Sequence, residues 1–407
     1  MGTGNSMSSN SLPAIVVVGY NRPDSLQRLL DSLNLANYQF DNIDLVISLD
    51  FCSGSLGDST QKVADSFNWQ HGKKRVILQT ENIGLRNHVL ACGDLTKSYG
   101  AIILLEDDLS VSPDFYDFAK TALDFSNRQQ SIGGVSLYNH KTNFLNQFPF
   151  EPVYDGYDNY YLQIASSWGQ AWTHTQWISF RTWYGEIEKS EQDNPASATV
   201  PDGTVPKAVM NWPPTSWLKY FIRYLVETDK FFLYPHHSHT TNHSDSGTHI
   251  DKPNNRWQVP LAVRNNSLRF SSPDDSLAVY DSYFEILPKK LKQLAPILNE
   301  FDFEVDLFGI KDSELFCKPY VLTSKKPSAH QLQFELVRKP IPINFLQDAP
   351  DSKRPTFYLC QTKDNSFQQG LSLNNINEVE YFYGHLPIRT LLKNSFRYFL
   401  QKRKWTG

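Results

Sequence analysis

Short β-branched runs alternating with helical patterns are the feature of this chain that most narrows its possible folds. From Ala14 to Tyr138 the runs Ala14–Gly19 (AIVVVG), Leu45–Leu49 (LVISL), Val76–Gln79 (VILQ), Ala101–Leu105 (AIILL) and Gly134–Leu137 (GVSL) each have the length of a strand. Strands spaced by helical segments belong to a parallel sheet with crossover helices. The first intervening segment supports this reading. Pro23 sits where a first helical turn accepts it, and Leu26, Leu29, Leu30 and Leu33 recur at the spacing of one buried helix face. Ser112-Pro113 opens a second helix, with Phe115, Phe118, Ala119 and Leu123 as its stripe.

The expected class is therefore α/β, a mostly parallel Rossmann-like sheet flanked by helices, with a smaller C-terminal α+β region. Residues 139–275 are rich in aromatics and turn formers and read as mainly irregular, with helices near Thr175–Ile187 and Trp217–Glu227 and a surface excursion at Ser190–Thr204. From Ser276 the pattern changes to a short helix between Pro288 and Pro296 and β-like runs at Phe316–Leu322 and Gln331–Val337. The expected organisation is a disordered stretch or cloning remnant at 1–11, a main domain at 12–275, an accessory region at 276–383 and a basic tail at 384–407.

Composition excludes several classes. Of 407 residues 40% are hydrophobic and 14% aromatic, too many for a disordered chain. The longest apolar runs, Ala14–Val18 and Ala101–Leu105, fall far short of the ~20 residues of a spanning helix. No basic start followed by an apolar stretch precedes Ala14, so no secretory signal is expected. Four widely spaced cysteines (Cys52, Cys92, Cys317, Cys360) make neither a zinc site nor a disulfide scaffold, and a cytoplasmic location fits them. A net charge of −4 argues against nucleic acid as a partner, yet residues 384–407 hold six Lys/Arg and no acid.

In an open parallel sheet ligands bind beyond the carboxyl ends of the strands. The polar residues there are Asn21-Arg22, Asp50, Asn82–Asn87 (NIGLRN) and the triplet Glu106-Asp107-Asp108. A lone Asp at such a place is usually a helix cap. Three successive acids after AIILL repel one another unless a cation or hydrogen bonds compensate them. A hard divalent ion, Mn²⁺ or Mg²⁺, uses one or two carboxylates and bridges phosphate oxygens. Arg22 and Arg86 at neighbouring strand ends would face one diphosphate. A metal, arginines and an Asp for a base edge together describe a nucleotide-diphosphate site.

The run EDDLSVSPDF (Glu106–Phe115), following GYNRPDSLQRLL (Gly19–Leu30) and SLDF (Ser48–Phe51), resembles the GT-A glycosyltransferases related to N-acetylglucosaminyltransferase I and the bacterial sugar transferases akin to it. Two further blocks are similar to that group, SSWGQAWTHTQW (Ser166–Trp177) and Thr215–Ile250, so the likeness spans about Ala14 to Ile250. The resemblance implies a metal-dependent transfer of a sugar from a nucleotide diphosphate, UDP-linked, to a glycan or lipid-linked hydroxyl in cell-surface polysaccharide synthesis. It places Asp108 on the metal, Glu106 and Asp107 toward the ribose and around the ion, Asp50 on the base, and Arg22, with Arg86 second to it, on the phosphates. Asn21 would lie beside the donor. His249 would face the metal or diphosphate, with His236, His237, His239 and His243 as alternatives nearby. Trp168, Gly169 and Trp172 would floor the donor-sugar and acceptor pocket, against the alternative of a core tryptophan pair.

The chain departs from that group in one respect. Where inverting members carry an acidic general base ahead of the helix beginning at Trp217, this sequence has Thr215-Ser216. Asp245 and Asp158 are the candidates to replace it, Asp245 first. The rival readings are an inactive relative that only binds nucleotide sugar or glycan, and a nucleotidyltransferase. In the tail, Ile388, Leu391, Leu392, Phe396 and Phe399 share a helical face beside Arg389, Lys393 and Arg397. Such a helix suits peripheral contact with the inner, anionic face of a membrane through 387–407, or docking on the protein's own acidic body.

Overall fold

The computed structural model describes residues 12–40, 42–193, 203–245, 255–263, 267–363, 366–372 and 375–384. The expectations on 1–11, His249 and 387–407 lie outside these residues. Two compact units emerge, one of Met1–Lys141 with Pro152–Leu298, the other of Thr142–Glu151 with Asn299–Gly407. The break expected at 275 thus falls elsewhere. Ser276–Leu298 packs with the first unit, and ten residues inside the expected main domain belong to the second.

In the first unit the chain runs β1 (Ala14–Gly19), α1 (Pro23–Asn34), β2 (Leu45–Leu49), α2 (Ser55–Ser66), β3 (Lys74–Leu78), α3 (Gly84–Asp94), α4 (Thr96–Tyr99), β4 (Ala101–Glu106), β5 (Leu109–Val111), α5 (Phe115–Ser126) and β6 (Ile132–Ser136). It continues through β7 (Asn159–Leu162), β8 (Gln170–Thr173), α6 (His174–Asp193), α7 (Lys207–Met210), α8 (Trp217–Glu227), β9 (Phe231–Pro235), β10 (Thr240–Asn242), β11 (Val279–Tyr280) and α9 (Pro288–Leu294). Nine strands form one sheet in the order β11-β7-β9-β6-β8-β4-β1-β2-β3. The strands β4, β1, β2 and β3 are parallel. β8 enters antiparallel between β4 and β6, and β7 runs antiparallel to β9.

Local chemistry explains the elements. Every residue of β1 and β2 is buried, as expected of strands covered on both faces. The four leucines of α1 are fully buried against that sheet, as their spacing required. Edge strand β3 carries Lys74, whose ammonium donates to the carbonyls of Ala64, Asp65 and Phe67 at 2.8, 2.7 and 2.6 Å and so closes the C-terminal end of α2. The stretch expected to be largely irregular contributes four strands, β7 to β10, which are short, aromatic and without alternation (NYYL, QAWT, FFLYP, TTN).

Successive strands β1, β2 and β3 move to one side, and β4 then lands on the other side of β1. That reversal is the topological switch point at which an open α/β sheet offers a crevice. The residues facing it are those after β1 and β4. The second unit holds a separate sheet in the order β12-β13-β15-β14, with β12 (Phe303–Asp306), β13 (Tyr320–Thr323), β14 (Leu332–Phe334) and β15 (Phe357–Gln361), followed by α10 (Ile376–Tyr383). Its buried Asp306 accepts from Lys325 Nζ at 3.0 Å, Lys311 N at 2.9 Å and Thr323 Oγ1 at 3.2 Å.

Two buried histidines of the first unit couple the fold to pH. The His239 ring stacks on Phe118 with centroids 4.2 Å apart, and its Nδ1 shares a 2.9 Å hydrogen bond with Ser112 Oγ. Burial pushes both His239 and His140 down to about 3 from an ordinary 6.5. The unfolded chain then binds protons between those values that the fold does not, so stability falls as pH drops through 6.5. Each histidine accounts for about 2 kcal/mol of loss from pH 6.5 to 5. Urea unfolding at pH 7 and pH 5 measures this. His239→Phe should be less stable than the parent at pH 7 and lose less on acidification, and equal slopes for the two proteins would contradict the assignment.

Candidate functional site

The end of β4 delivers the acidic triplet to the switch point. Val18 pairs with Glu106, which sets the triplet level with the β1–α1 turn that carries Tyr20, Asn21 and Arg22. Asp107 and Asp108 are buried, Glu106 partly so. The Arg22 guanidinium bridges the two aspartates, donating through Nη1 to Asp108 Oδ2 at 3.1 Å and through Nη2 to Asp107 Oδ1. The Tyr20 N–H also donates to Asp107.

One guanidinium does not neutralise three acids. Burial lifts Asp107 to about 6, with Arg22 pulling it down and Asp108 adding to the rise. Glu106 is pushed well above the carboxylate range by burial and then by Asp108. Arg22 is held above its ordinary value: burial opposes its charge, and Asp107, Asp108 and Glu106 more than offset that. Asp108 Oδ1 is buried with no hydrogen-bond partner among the described residues. The site therefore carries surplus negative charge and an open carboxylate oxygen.

A two-stranded antiparallel ribbon braces the triplet. β10 pairs with β5, Asn242 against Leu109, and His243 N donates to the Asp108 carbonyl at 3.0 Å while its Nε2 shares a 2.9 Å bond with Ser110 Oγ. Burial, then Arg28, lowers the His243 pKa. Two residues on, Asp245 Oδ2 accepts from Ser25 Oγ at 2.7 Å and from Arg28 Nη2, both on α1. These bonds outweigh its burial and hold its pKa below the ordinary carboxylate value. This corrects the expectation of Asp245 as a general base: a carboxylate paired with a guanidinium and lowered in pKa is a poor proton acceptor, and here it anchors the ribbon to α1.

Asp158, the other candidate base, accepts from Arg269 N at 2.7 Å just ahead of β7. β7 stands four strands from β4, which at about 4.8 Å per strand is on the order of 19 Å from the triplet. It is too remote to deprotonate an acceptor beside a diphosphate bound there. Thr215 is exposed, and Ser216 caps α8, accepting from Lys219 N at 3.4 Å.

Asp50 is buried at the end of β2. Its Oδ1 accepts from the N–H groups of Phe51 at 2.9 Å and Ile83 at 3.0 Å, and its Oδ2 from Gly84 N at 3.0 Å. It therefore caps α3 and ties the β3–α3 loop to the strand ends. Behind it His88, unremarked in the sequence, shares a 2.7 Å bond with Ser48 Oγ and is lowered in pKa by burial.

Arg86 departs from its expected place on the phosphates. It points along the outside of α3 to the turn before α8, donating to the Pro214 carbonyl at 3.0 Å and lying over the Tyr220 ring at 5.8 Å. Trp172 is likewise no pocket residue. Fully buried, it packs on Trp177, Trp217 and Phe221 with centroids 4.8, 6.3 and 5.7 Å away. Trp168 is only partly buried and meets Tyr138 edge-on at 4.7 Å. A groove of about 460 Å³ lined by Asp94, Lys97, His174 and Arg181 shares none of the triplet's residues.

Among the described residues no three His, Cys, Asp or Glu side chains converge on a point that would hold an ion. A divalent cation at the triplet would thus take one or two carboxylates, Asp108 Oδ1 foremost, and fill its remaining positions with water and ligand oxygens. That suits a hard ion that keeps its waters.

Comparison with known proteins bears on this site directly. The family model for Glycosyl transferase family 2 matches residues 14–176, the stretch from β1 into α6 that contains Arg22, Asp50 and the triplet. These residues carry a glycosyltransferase domain, and the α/β architecture agrees with the GT-A fold. The match is to this broad family and does not single out the N-acetylglucosaminyltransferase I group. No curated protein sequence matches the chain. Among solved structures, the mannosyltransferase PcManGT from Pyrobaculum calidifontis, in complex with GDP-Man and Mn²⁺, is 12% identical over 41% of this chain and 46% of its own, with a TM-score of 0.29. GalNAc-T7 with UDP, GalNAc and Mn²⁺ is 12% identical over 56% and 43%, with a TM-score of 0.37. S. aureus TarS is 12% identical over 55% and 35%, with a TM-score of 0.30. The likeness spans less than half of each of these proteins and carries no assignment of substrate.

Gly169, between Trp168 and β8, is a point at which the site is sterically exposed to test. Its φ of +93° is open to glycine and strained for other residues, and an added Cβ would lie 2.7 Å from Thr240 Cγ2 in the ribbon. Gly169→Ala should cost about 2 kcal/mol or more in urea unfolding, from backbone strain and the clash together. Adding Thr240→Ser removes that methyl and keeps the 2.6 Å bond to the Trp168 carbonyl, so it should recover part of the loss. No recovery would locate the whole cost in the backbone.

Proposed function

We propose that this chain is a metal-dependent glycosyltransferase that moves a sugar from a nucleoside-diphosphate donor, uridine-linked, to a hydroxyl of a glycan or glycolipid in cell-surface polysaccharide synthesis. The observation that carries the reading is the surplus of buried carboxylate at the switch point, with Asp108 Oδ1 unpartnered, inside a family 2 domain. A bound Mn²⁺ or Mg²⁺ would supply Lewis-acid stabilisation of the leaving diphosphate.

The chain's own residues have separable tasks in this reading. Asp108 would hold the ion, and Asp107 and Glu106 would set the charge around it. Arg22 spends two N–H groups on the aspartates and keeps others of its five donors for a phosphate oxygen. Asp50 uses each carboxylate oxygen on backbone N–H groups yet retains lone-pair capacity for a base N–H. Asn21 would border the donor in the same turn as Arg22.

A second reading, a relative that binds nucleotide sugar without turning it over, is favoured by the absence of an acid at Thr215-Ser216 and by the engagement of Asp245 and the remoteness of Asp158. Turnover separates the two. The enzyme should release nucleoside diphosphate from a UDP-, GDP- or CDP-sugar panel, whereas a binding protein should show none and a nucleotidyltransferase should exchange pyrophosphate.

None of the described helices is long and apolar enough to cross a membrane. For the basic segment 387–407 we propose contact with an anionic membrane surface bearing the acceptor. Flotation with anionic vesicles should recover the protein, and deletion of 387–407 should abolish that recovery. Asp108→Ala tests the site itself. It should remove Mn²⁺-dependent binding of UDP in isothermal titration and lower transfer by at least a hundredfold, with the circular dichroism spectrum unchanged. Undiminished Mn²⁺-dependent binding would sink the assignment of Asp108 to the ion.

A further inference from the structure

We propose that edge strand β3 pairs antiparallel with β3 of a second copy of this chain, about an axis at Val76, and so joins two sheets into one; this does not depend on the glycosyltransferase reading above.

β3 ends the nine-stranded sheet, with β2 as its one neighbour. Leu45 N donates to the Lys73 carbonyl at 2.9 Å and Gln79 N to the Leu49 carbonyl at 3.0 Å, so the odd-numbered residues here turn their peptide groups toward β2. Those of Lys74, Val76 and Leu78 therefore point away from the sheet. Among the described residues none bonds to them. Two other sheet edges are closed by the chain itself. At the far edge Leu287 N donates to the Val279 carbonyl and Asp281 N to the Glu285 carbonyl, both at 2.9 Å. On β14, in the second unit, Gln333 N donates to Asp348 Oδ1 at 3.0 Å and the Gln333 carbonyl accepts from Ala349 N at 2.9 Å.

β3 also lacks the features that keep bare edges apart. Its sequence, KRVIL, has no proline, and its register with β2 has no bulge. The lysine that could guard the edge, Lys74, is drawn aside to the carbonyls that end α2. Leu78 is left 45% exposed, and Val76 and Ile77 are partly exposed. Unpaired peptide groups thus lie beside apolar side chains, and a second strand would cover both.

A second copy fits because the strand is complementary to itself in one register. With Val76 opposite its own counterpart, Lys74 faces Leu78 of the other copy and Leu78 faces Lys74. All three outward residues then form hydrogen-bonded pairs, about six bonds in all. The charges select the same direction. Lys73 and Arg75, exposed and without an acidic partner among the described residues, lie toward the start of the strand, and Glu81, likewise exposed and unpaired, lies just beyond its end. The antiparallel register sets Glu81 of each copy diagonally across from Lys73 of the other, whereas a parallel copy in register would set cation against cation. The two reactive ends come to lie at opposite ends of the joint sheet, so neither copy enters the other's site.

Strand pairing of this extent belongs with small, transient interfaces, so the test spans a wide range of concentration. Sedimentation velocity of the full chain from about 1 to about 300 µM should show monomer giving way to dimer. Hydrogen exchange at single-residue resolution should show protection of the Val76 and Leu78 amides that rises with concentration, while that of Ile77, whose amide faces β2, stays constant. Leu78→Lys, which sets a like charge against Lys74 of the other copy, should weaken the dimer at least tenfold. Glu81→Lys should weaken it about threefold at low salt, and adding Lys73→Glu should restore the parent's assembly. These residues are at the surface, so each variant should keep the parent's circular dichroism spectrum and urea midpoint. A monomer at every concentration, or a dimer that forms without protection at Val76 and Leu78 or survives Leu78→Lys, would overturn the pairing. Failure of Lys73→Glu to rescue Glu81→Lys would overturn the antiparallel register.

Discussion

The bridge from Arg22 to Asp107 and Asp108 is the interaction on which the reactive end of the molecule depends. It joins the first turn after β1 to the end of β4, the two strands between which the order of the sheet reverses. Without a cation there, two buried aspartates would face each other at the mouth of an apolar strand. Removing one partner from a buried charge cluster costs about 3–5 kcal/mol, because the remaining charges stay desolvated. The bridge still leaves the cluster acidic: Asp107 and Glu106 remain raised in pKa despite the guanidinium. The structure therefore holds together with Arg22 in place and leaves Asp108 Oδ1 without a hydrogen-bond partner among the described residues.

Everything that surrounds the cluster restricts its motion. The ribbon of β5 and β10 carries the chain away from the triplet and back past it, with His243 bonded to the Asp108 carbonyl and to Ser110. Asp245 then ties the end of the ribbon to α1 through Ser25 and Arg28, and α1 is the helix that begins immediately after Arg22. The loop is closed in space: β1, Arg22, α1, Asp245, β10, β5 and the triplet each hold the next. On the proposed reading, acids fixed in this way would hold a cation with little reorganisation, and that cation would be the group that stabilises negative charge on a leaving diphosphate.

How much of this could be read from the sequence depended on whether the signal was local. β1, β2, α1 and α8 follow from residue patterns within one element; the bounds of β1, β2 and α8 are those expected, and α1 begins at Pro23. The triplet was recognisable because three acids after a fully apolar strand are costly without compensation. Long-range pairing was not legible. Nothing in the spacing of Asp245 shows that Arg28, 217 positions earlier, will claim it. Arg86 follows the same logic: NIGLRN lies at a strand end, but a helix turns its residues about 100° each, and that rotation sends the guanidinium outward to Pro214. The detour of Thr142–Glu151 into the second unit is equally invisible to local pattern. Trp168 and Trp172 looked alike in sequence, and a positive-φ glycine, Gly169, lies between the partly buried ring and the core one.

Asp50 illustrates why the cap and the ligand readings of a strand-end acid need not exclude each other. A carboxylate has about four lone-pair directions, and three are taken here by Phe51, Ile83 and Gly84. Those bonds fix both oxygens and close the start of α3, so the remaining direction is defined to within the rigidity of two strands and a helix. An acid free to rotate would lose side-chain entropy on meeting a base edge; Asp50 has already lost it in folding. Capping thus prepares the group for recognition, and the same bonds that made the residue look structural are those that would make it selective. Arg22 behaves in the same way, held by two aspartates and still carrying donors. On the proposed reading, the hydrogen bonds that secure the fold at this end of the sheet are also those that would orient a ligand.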